Sequence, residues 1–440
     1  MRVPMQGEHT EGAPDRETSP LVGGVSSNFR INPFTKRPLY LVKADGAYVF
    51  DLAGKKYIDY FMGHGAALLG YNNPAVRSSL RAVIEHGFFS GFDTQQTIEL
   101  ATLLTELIPC AEQVRFANSG SEATLLALRL ARGYTGKDII IRMDGHFHGV
   151  HDYVLFNNLA SLVDDVNQGD RPSRVNCFSA GIPRVIYDET VRVVPWNNLN
   201  ALRRVVDEER GRVAGIIMNP IDFNNGCITT TREYLSGVNE IARKRGIVVI
   251  YDEILSGFRV GIECAQGYYG VTPDICTLSK ALSNGVPLSA IVGRAEIMSR
   301  IVDGDLPVVH GGTFSGSPFG VAAALATLKT MSKPFFFTEL FGVSNFFFEE
   351  MQKLFDREKF PAVVQHAGCS FYIYFGVTEP ITSYRQMRSL DWELARKFYS
   401  RCIERGLYFH TDFTVSASHT RDDIMETIDV MGSVVRGLKN

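Results

Sequence analysis

From Gln113 onward, short apolar runs alternate with longer amphipathic stretches, and few folds accommodate that rhythm. Residues 114–116 are followed by 122–133 and then 139–142; later, 214–218, 232–245 and 246–251 repeat the pattern. Strand, helix and strand in that order predict a largely parallel sheet covered by helices. Upstream, residues 39–60 alternate apolar and polar positions around Asp45-Gly46 and Ala53-Gly54, which predicts a hairpin or short meander. Helices are expected at 74–87, 94–107 and 318–331. Residues 155–190 are polar and patternless and predict a long surface loop. The Phe runs at 335–337 and 346–348 suit core or subunit-interface packing.

At 440 residues the chain suits one large and one smaller domain sharing a core. A net charge of −3 offers no basic excess for nucleic acid. The apolar stretch 321–328 falls short of the roughly 20 residues that a membrane helix needs. Seven scattered cysteines without a CxxC pair read as reduced thiols. The first 25 residues are polar, carry four acids and lack an apolar leader core, so a flexible arm on a cytoplasmic protein is expected. Small-molecule chemistry is the expected function class.

Three local features bear on that chemistry. Asn118-Ser119-Gly120-Ser121-Glu122 stands between a strand and a helix, where free amides and hydroxyls meet the positive end of the helix dipole. It reads either as a phosphate site or as an ordinary Ser cap with Glu in the first turn. The run 248–251 ends in Asp252 and Glu253, acids at a strand's carboxyl end, where open α/β sheets bind ligands. Such an acid is either a partnered structural Asp or one that keeps a pyridine nitrogen protonated. Lys280 follows the segment 273–279 and precedes the turn Asn284-Gly285-Val286-Pro287. It is either a solvated charge or, buried, an amine with lowered pKa that attacks an aldehyde.

Together these segments bring a family into view. The chain resembles class III (omega) aminotransferases, and most closely their glutamate-1-semialdehyde aminomutase branch. The resemblance runs almost end to end through GAYVFDLAGKKYIDY, ANSGSEATLLALRLARGYTG, FHG at 147–149, YDEILSGFR, PDICTLSKALSNGVP and GGTFSGSP. It implies an α/β protein of PLP fold type I. A seven-stranded, mainly parallel sheet between helices would occupy residues 76–330. A smaller α+β domain would form from 26–75 and 331–440, with 1–25 as the arm. It also implies pyridoxal 5′-phosphate as cofactor, pyridoxamine 5′-phosphate as its aminated form, and a homodimer acting on a small amine donor and a carbonyl acceptor. Lys280 matches the Schiff-base lysine and proton shuttle, and Asp252 the acid on the pyridine nitrogen. Phe147 matches the ring that stacks on the cofactor, with Gly149 allowing close approach. Gly120 and Ser121 match the phosphate cup, and Asn224 a group near the phenolic oxygen. Thr313 matches a threonine that reaches the neighbouring subunit's phosphate. Arg30 matches an arginine that grips a substrate carboxylate, a task suited to a planar guanidinium.

The departures from the family surround the pocket. Asn219 stands in place of Glu before Pro220, His64 in place of a Trp at the mouth of the site, and Ser283-Asn284 in place of a glycine pair. The segment 409–416 is about five residues shorter than in the aminomutases, by alignment of the resemblance. The divergent 155–190 loop and the shortened 409–416 segment favour intermolecular amino transfer over the aminomutase reaction, and His64 is expected on the substrate side of the pocket. A PLP-binding but inactive relative is a further alternative. So is a metal-dependent hydrolase, because 144–152 holds His146, His148 and His151 among two aspartates and H-x-H can ligate zinc. The plain alternative there is a glycine-containing turn with partly exposed histidines.

Overall fold

The computed structural model describes residues 19–158 and 175–439. The segment at 39–60 is a three-stranded meander: β1 (Leu41–Asp45), β2 (Tyr48–Asp51) and β3 (Lys56–Asp59) pair antiparallel in succession. Gly46 and Gly54 turn the chain between them at φ 56° and 80°, values that an L side chain adopts only with strain.

The alternating run becomes one sheet. Its strands are β4 (Gln113–Ala117), β5 (Ile139–Met143), β6 (Val191–Val194), β7 (Val213–Met218), β8 (Val248–Asp252), β9 (Ile275–Leu278) and β10 (Ser289–Gly293). They lie in the order β4-β10-β9-β8-β7-β5-β6. Pairings from β9 to β6 are parallel, whereas β10 runs antiparallel to both of its neighbours. Strands β5, β7, β8, β9 and β10 are buried at every residue, as expected of strands covered on both faces. Helix Gly120–Thr135 packs its Leu and Ala face on the sheet and stops at Gly136, left-handed at φ 68°.

Helices Pro74–His86 and Gln95–Leu107 form as the sequence predicts. Asn73 and Thr94 cap their first turns, Thr94 in a reciprocal capping box with Thr97. Pro318–Met331 is apolar nearly all round and lies against the first two of these helices. Of the expected 155–190 loop, residues 159–174 fall outside the described residues. The rest is not all loop: Arg184–Glu189 is helical, started by Pro183 and supported by an Arg184–Asp188 pair at 2.9 Å. A helix of six residues is too short to declare a 3.6-residue period.

The C-terminal strands are β11 (Ala362–Ala367), β12 (Ser370–Phe375), β13 (Leu407–Tyr408) and β14 (Phe413–Thr414). β11, β12 and β14 form a sheet, whereas β13 joins the N-terminal meander, parallel to β3. A chain-end strand thus completes a sheet begun some 350 residues earlier. Phe347 and Phe348 enter an aromatic core with Tyr60, Phe371 and Phe413, while Phe335 stays exposed. Among the described residues no helix is long and apolar enough to cross a membrane.

Candidate active site

β8 ends in Asp252, which is 1% exposed, and three donors meet its carboxylate. The Thr277 hydroxyl, in register on β9, donates to Oδ1 at 3.1 Å, as does the Ile254 amide at 3.1 Å. His148 Nδ1 lies 2.7 Å from Oδ2. A buried acid needs such partners, because an unmet charge there costs several kcal/mol, on the order of the ion's desolvation. Burial lowers the His148 pKa, with Asp252 opposing.

The segment after β5 delivers His148 and its neighbours. Arg142, fully buried, donates to the Val154 carbonyl at 2.8 Å and to that of His146, and burial pushes its pKa down to about 9. This ties the 144–158 excursion back to the sheet. Phe147 stands half-buried between two histidines and meets the Phe29 ring edge-on at 5.6 Å. Gly149, at φ 103°, lies on the helix start: a Cβ there would come within 2.5 Å of Ser121 Oγ. The Val150 amide donates to that same Oγ at 3.1 Å, and Thr124 Oγ1 donates to the His148 carbonyl at 2.7 Å. A Cβ on Gly120 would meet Ile254 Cδ1 at 2.7 Å. The glycines therefore let three chain segments converge where the helix has unbonded amides. Ser119 caps that helix through the Glu122 amide at 3.3 Å, so the cap and the open first-turn amides coexist.

Lys280 stands just past β9. The Ser279 hydroxyl anchors the preceding residue on the Leu288 carbonyl at 2.7 Å, and Lys280 itself takes φ 50° at the start of a single 3-10 turn, Lys280–Ser283. A left-handed lysine is strained by about 1 kcal/mol or more, and strain of this kind clusters at functional positions. Burial lowers its ammonium pKa; Asp412 opposes, Arg259 adds to the lowering and Asp252 opposes. Lys280 is thus set, with Asp252, at the ends of neighbouring strands, three residues beyond the Thr277 that donates to Asp252.

The remaining residues vary in how closely they join this cluster. Asn219, in place of the family's Glu, donates from Nδ2 to the Asp252 carbonyl at 3.0 Å, while its backbone amide donates to His146 Nδ1 at 2.9 Å. Asn224 folds onto Asp222, whose carboxyl burial pushes up to about 7. Asn284 holds the Leu69 amide at 2.9 Å and the Gly70 carbonyl at 3.0 Å, so the departure from a glycine pair has a structural use. Arg30 is exposed and makes no ion pair among the described residues. Thr313 is exposed beside Gly312, where a Cβ would lie 3.9 Å from Asn118 Nδ2 at the helix start. His64 Nδ1 lies 2.9 Å from Asp412 Oδ2.

The expectation of partly exposed histidines at 146–151 holds for His151, which is half-buried, and is corrected for His146 and His148, which are fully enclosed because the Arg142 guanidinium draws the His146 and Val154 carbonyls inward. The three rings serve separate partners, Asn219, Asp252 and Thr124, the last at 3.1 Å from His151 Nε2. Among the described residues no group of three or more His, Cys, Asp or Glu is arranged to hold a metal. Asp412, Arg259 and Thr277 were not singled out from sequence. Thr277 carried a usable signal, three residues before Lys280 on an apolar strand; Asp412, in the shortened segment, carried none.

Comparison with known proteins fits this geometry. Glutamate-1-semialdehyde 2,1-aminomutase of Methanocaldococcus jannaschii is 36% identical over 425 residues, covering 95% of this chain and 96% of that protein. An omega-transaminase from Sphaerobacter thermophilus superposes with a TM-score of 0.89 at 26% identity, over 97% of this chain and 96% of its own. A glutamate-1-semialdehyde-aminomutase from Pseudomonas aeruginosa PAO1 shares the fold, with a TM-score of 0.84 at 20% identity over 94% and 91% of the two chains. Residues 32–420 match the family model described as aminotransferase class-III, and the chain belongs to that family.

Proposed function

We propose that this protein is a PLP-dependent aminotransferase that moves an amino group between an amino acid or amine donor and a keto or aldehyde acceptor, with at least one carboxylate-bearing substrate. The observation that carries the reading is the placement of buried Asp252 at the end of β8 and strained Lys280 just past the adjoining β9, whose Thr277 donates to Asp252. Lys280 and Asp252 would hold the cofactor at its aldehyde and ring nitrogen. Gly120 and Ser121 would hold its phosphate, Phe147 would cover its ring above Gly149, and Asn224 would stand near its phenolic oxygen. When bound, PLP draws electrons from the carbon bearing the amine, which makes that carbon's proton removable. Asp252 presents an accepting carboxylate, and His148, Thr277 and the Ile254 amide keep it oriented. Lys280 Nζ, its basicity lowered by burial, is the group set to take that proton and return it. Arg30, exposed and without an ion pair among the described residues, would bind a substrate carboxylate bidentately.

A homodimer is part of the proposal, with Thr313 of the partner subunit completing each phosphate site. Its support is a set of exposed apolar residues in the segment that carries Thr313: Leu306 at 84%, Val309 at 70% and Phe314 at 62% exposure. The division into a large domain at 76–330 and a small one from 26–75 and 331–440 is supported by the β3–β13 pairing.

Intramolecular transfer of the aminomutase kind is the second reading, favoured by the 36% identity to such an enzyme. A panel of amino donors in single-turnover experiments separates the two. Conversion of the PLP form to the amine form by a donor, with release of its carbonyl product, is expected. Isomerisation of glutamate semialdehyde with no donor reacting would replace this reading by the second. Borohydride reduction and peptide mapping should place a pyridoxyl group on Lys280; an adduct on another lysine would overturn both.

A further inference from the structure

His64 occupies a turn that is costly to build. Met62, Gly63, His64 and Gly65 take φ values of 46°, 61°, 58° and 67°, four successive left-handed residues of which two carry side chains. Each non-glycine residue there costs roughly 1 kcal/mol, so the surroundings must over-determine the turn. They do so from three sides. Asp59, at the end of β3, accepts the Phe61 amide at 2.7 Å and the Met62 amide at 3.2 Å. The buried guanidinium of Arg259 donates to the Gly65 carbonyl. The turn itself packs against both Lys280–Ser283 and β14.

This support aims the His64 ring. Its Nδ1 lies 2.9 Å from Oδ2 of Asp412, which is buried at the head of β14, and Thr411 Oγ1 approaches the same oxygen at 3.4 Å. Phe61 meets the ring edge-on at 4.4 Å and His410 meets it at 5.5 Å, so it cannot rotate freely. The His64 side chain retains 23% exposure against 5% for Asp412, and Nε2 has no hydrogen-bond partner among the described residues. Burial works against the charged form of Asp412, yet His64, Lys280 and His410 together hold its pKa below the usual carboxylate value. An ionised carboxylate only accepts. It therefore assigns the proton of a neutral imidazole to Nδ1 and leaves a lone pair on Nε2. The titratable and charged groups facing the pair are Lys280 and Arg259, with His410, which burial holds neutral, and Arg30 beyond.

We propose that Asp412 and His64 form a specificity-determining pair, in which Asp412 fixes the His64 tautomer so that Nε2 accepts a hydrogen bond from an O–H or N–H carried by the substrate beyond its amine-bearing carbon. The inference rests on the proposed aminotransferase reading and deepens it. Where a Trp wall would favour apolar substrates, this wall prefers hydrogen-bond donors. The pair changes no bond; His64 positions and selects.

Three amino donors of matched length test it on the PLP-loaded enzyme: L-homoserine, with a terminal hydroxyl; O-methyl-L-serine, whose ether only accepts; and L-norvaline, which is apolar. In first-turnover kinetics, kcat/KM is expected to favour homoserine over each of the others by roughly ten-fold, the scale of one hydrogen bond. His64→Trp should bring both ratios close to one, and His64→Gln, which keeps an acceptor, should restore part of the preference. Independently, imidazole 15N NMR of the substrate-free protein should show His64 protonated on Nδ1 in the wild type and a mixed tautomer in Asp412→Asn. Equal use of the three donors, no reaction with any of them, ratios unchanged in His64→Trp, or an Nε2–H tautomer in the wild type would each overturn the proposal. If the wild type instead fails to take up PLP on Lys280, the aminotransferase reading itself falls.

Discussion

His148 and Asp252 meet in a fully buried contact, Nδ1 to Oδ2 at 2.7 Å, with the histidine supplied by the excursion after β5 and the acid by the end of β8. The carboxylate accepts, so the His148 proton sits on Nδ1, and Nε2 is buried without a partner among the described residues. A neutral donor at this distance steadies the charge on Asp252 without neutralising it. His148→Leu should therefore retain PLP but slow amino transfer by about ten- to a hundred-fold, the scale of a hydrogen bond to a charged group. Asp252→Ala should be slower still. A His148→Leu enzyme with wild-type single-turnover rates would remove His148 from any role in tuning Asp252.

Gly149 and Ser121 make a second contact of consequence. A methyl group at Gly149 would stand 2.5 Å from Ser121 Oγ and 2.9 Å from its Cα, at a φ of 103° that L residues rarely adopt. The clash is with backbone as well as with the hydroxyl, so rotation of Ser121 cannot relieve it. Gly149→Ala is expected to lower PLP affinity by at least ten-fold and cost about 1–3 kcal/mol of stability. Spectral titration of the apo protein with PLP checks the first figure, and urea unfolding the second.

What the sequence could and could not disclose follows from the distance over which each feature is encoded. The helix at 120–135 is local: Ser119 caps it, Gly136 ends it, and its Leu and Ala period marks the buried face. Asp252 and Lys280 stood out because each ends an apolar run. The antiparallel β10, inserted between β4 and β9, lies outside local pattern, since burial on both faces gives parallel and antiparallel strands the same apolar run. His64 and Asp412 are 348 positions apart. The resemblance drew attention to His64 as a departure, but its partner sits in the bend just before a two-residue strand, Phe413–Thr414, where no periodicity exists to mark it. Arg259 was equally hidden, since its guanidinium is spent on the carbonyls of Leu255 and Gly65 rather than on an acid.

That clamp yields a prediction about stability. A Cβ on Gly65, at φ 67°, would lie 2.1 Å from Arg259 Nη2 and 3.1 Å from Thr414 Oγ1, whereas one on Gly54, at φ 80°, would meet nothing within 4 Å. Both substitutions to Ala incur the left-handed penalty, about 1 kcal/mol. Only Gly65→Ala must also displace a buried guanidinium, so its cost should exceed that of Gly54→Ala by about 2 kcal/mol or more. Urea midpoints of the two variants measure the difference directly; equal midpoints would mean that Arg259 moves aside freely.

Acid should destabilise the fold, and the sign follows from two opposing groups of buried and half-buried residues. Burial lowers the pKa of His146, His148 and His310, that of His151 to about 3, and those of His410 and His419 to about 4. In the unfolded chain these histidines titrate near 6.5, so between the folded and unfolded values the unfolded chain binds more protons and stability falls as pH falls. Burial also raises Asp59 to about 6, and Asp222 and Glu253 to about 7. Those carboxyls act the other way, because the folded chain holds their protons over the same window. The histidines outnumber them. Stability should therefore decline from about pH 6.5 to about pH 4.5, by roughly 1.4 kcal/mol per pH unit for each excess proton. Urea midpoints at three pH values across that window measure the slope. His419→Phe removes one fully buried ring that stacks on Tyr60 at 4.8 Å, and should make the decline shallower even though it lowers stability at neutral pH. A midpoint that rises on acidification would show that Asp59, Asp222 and Glu253 outweigh the histidines.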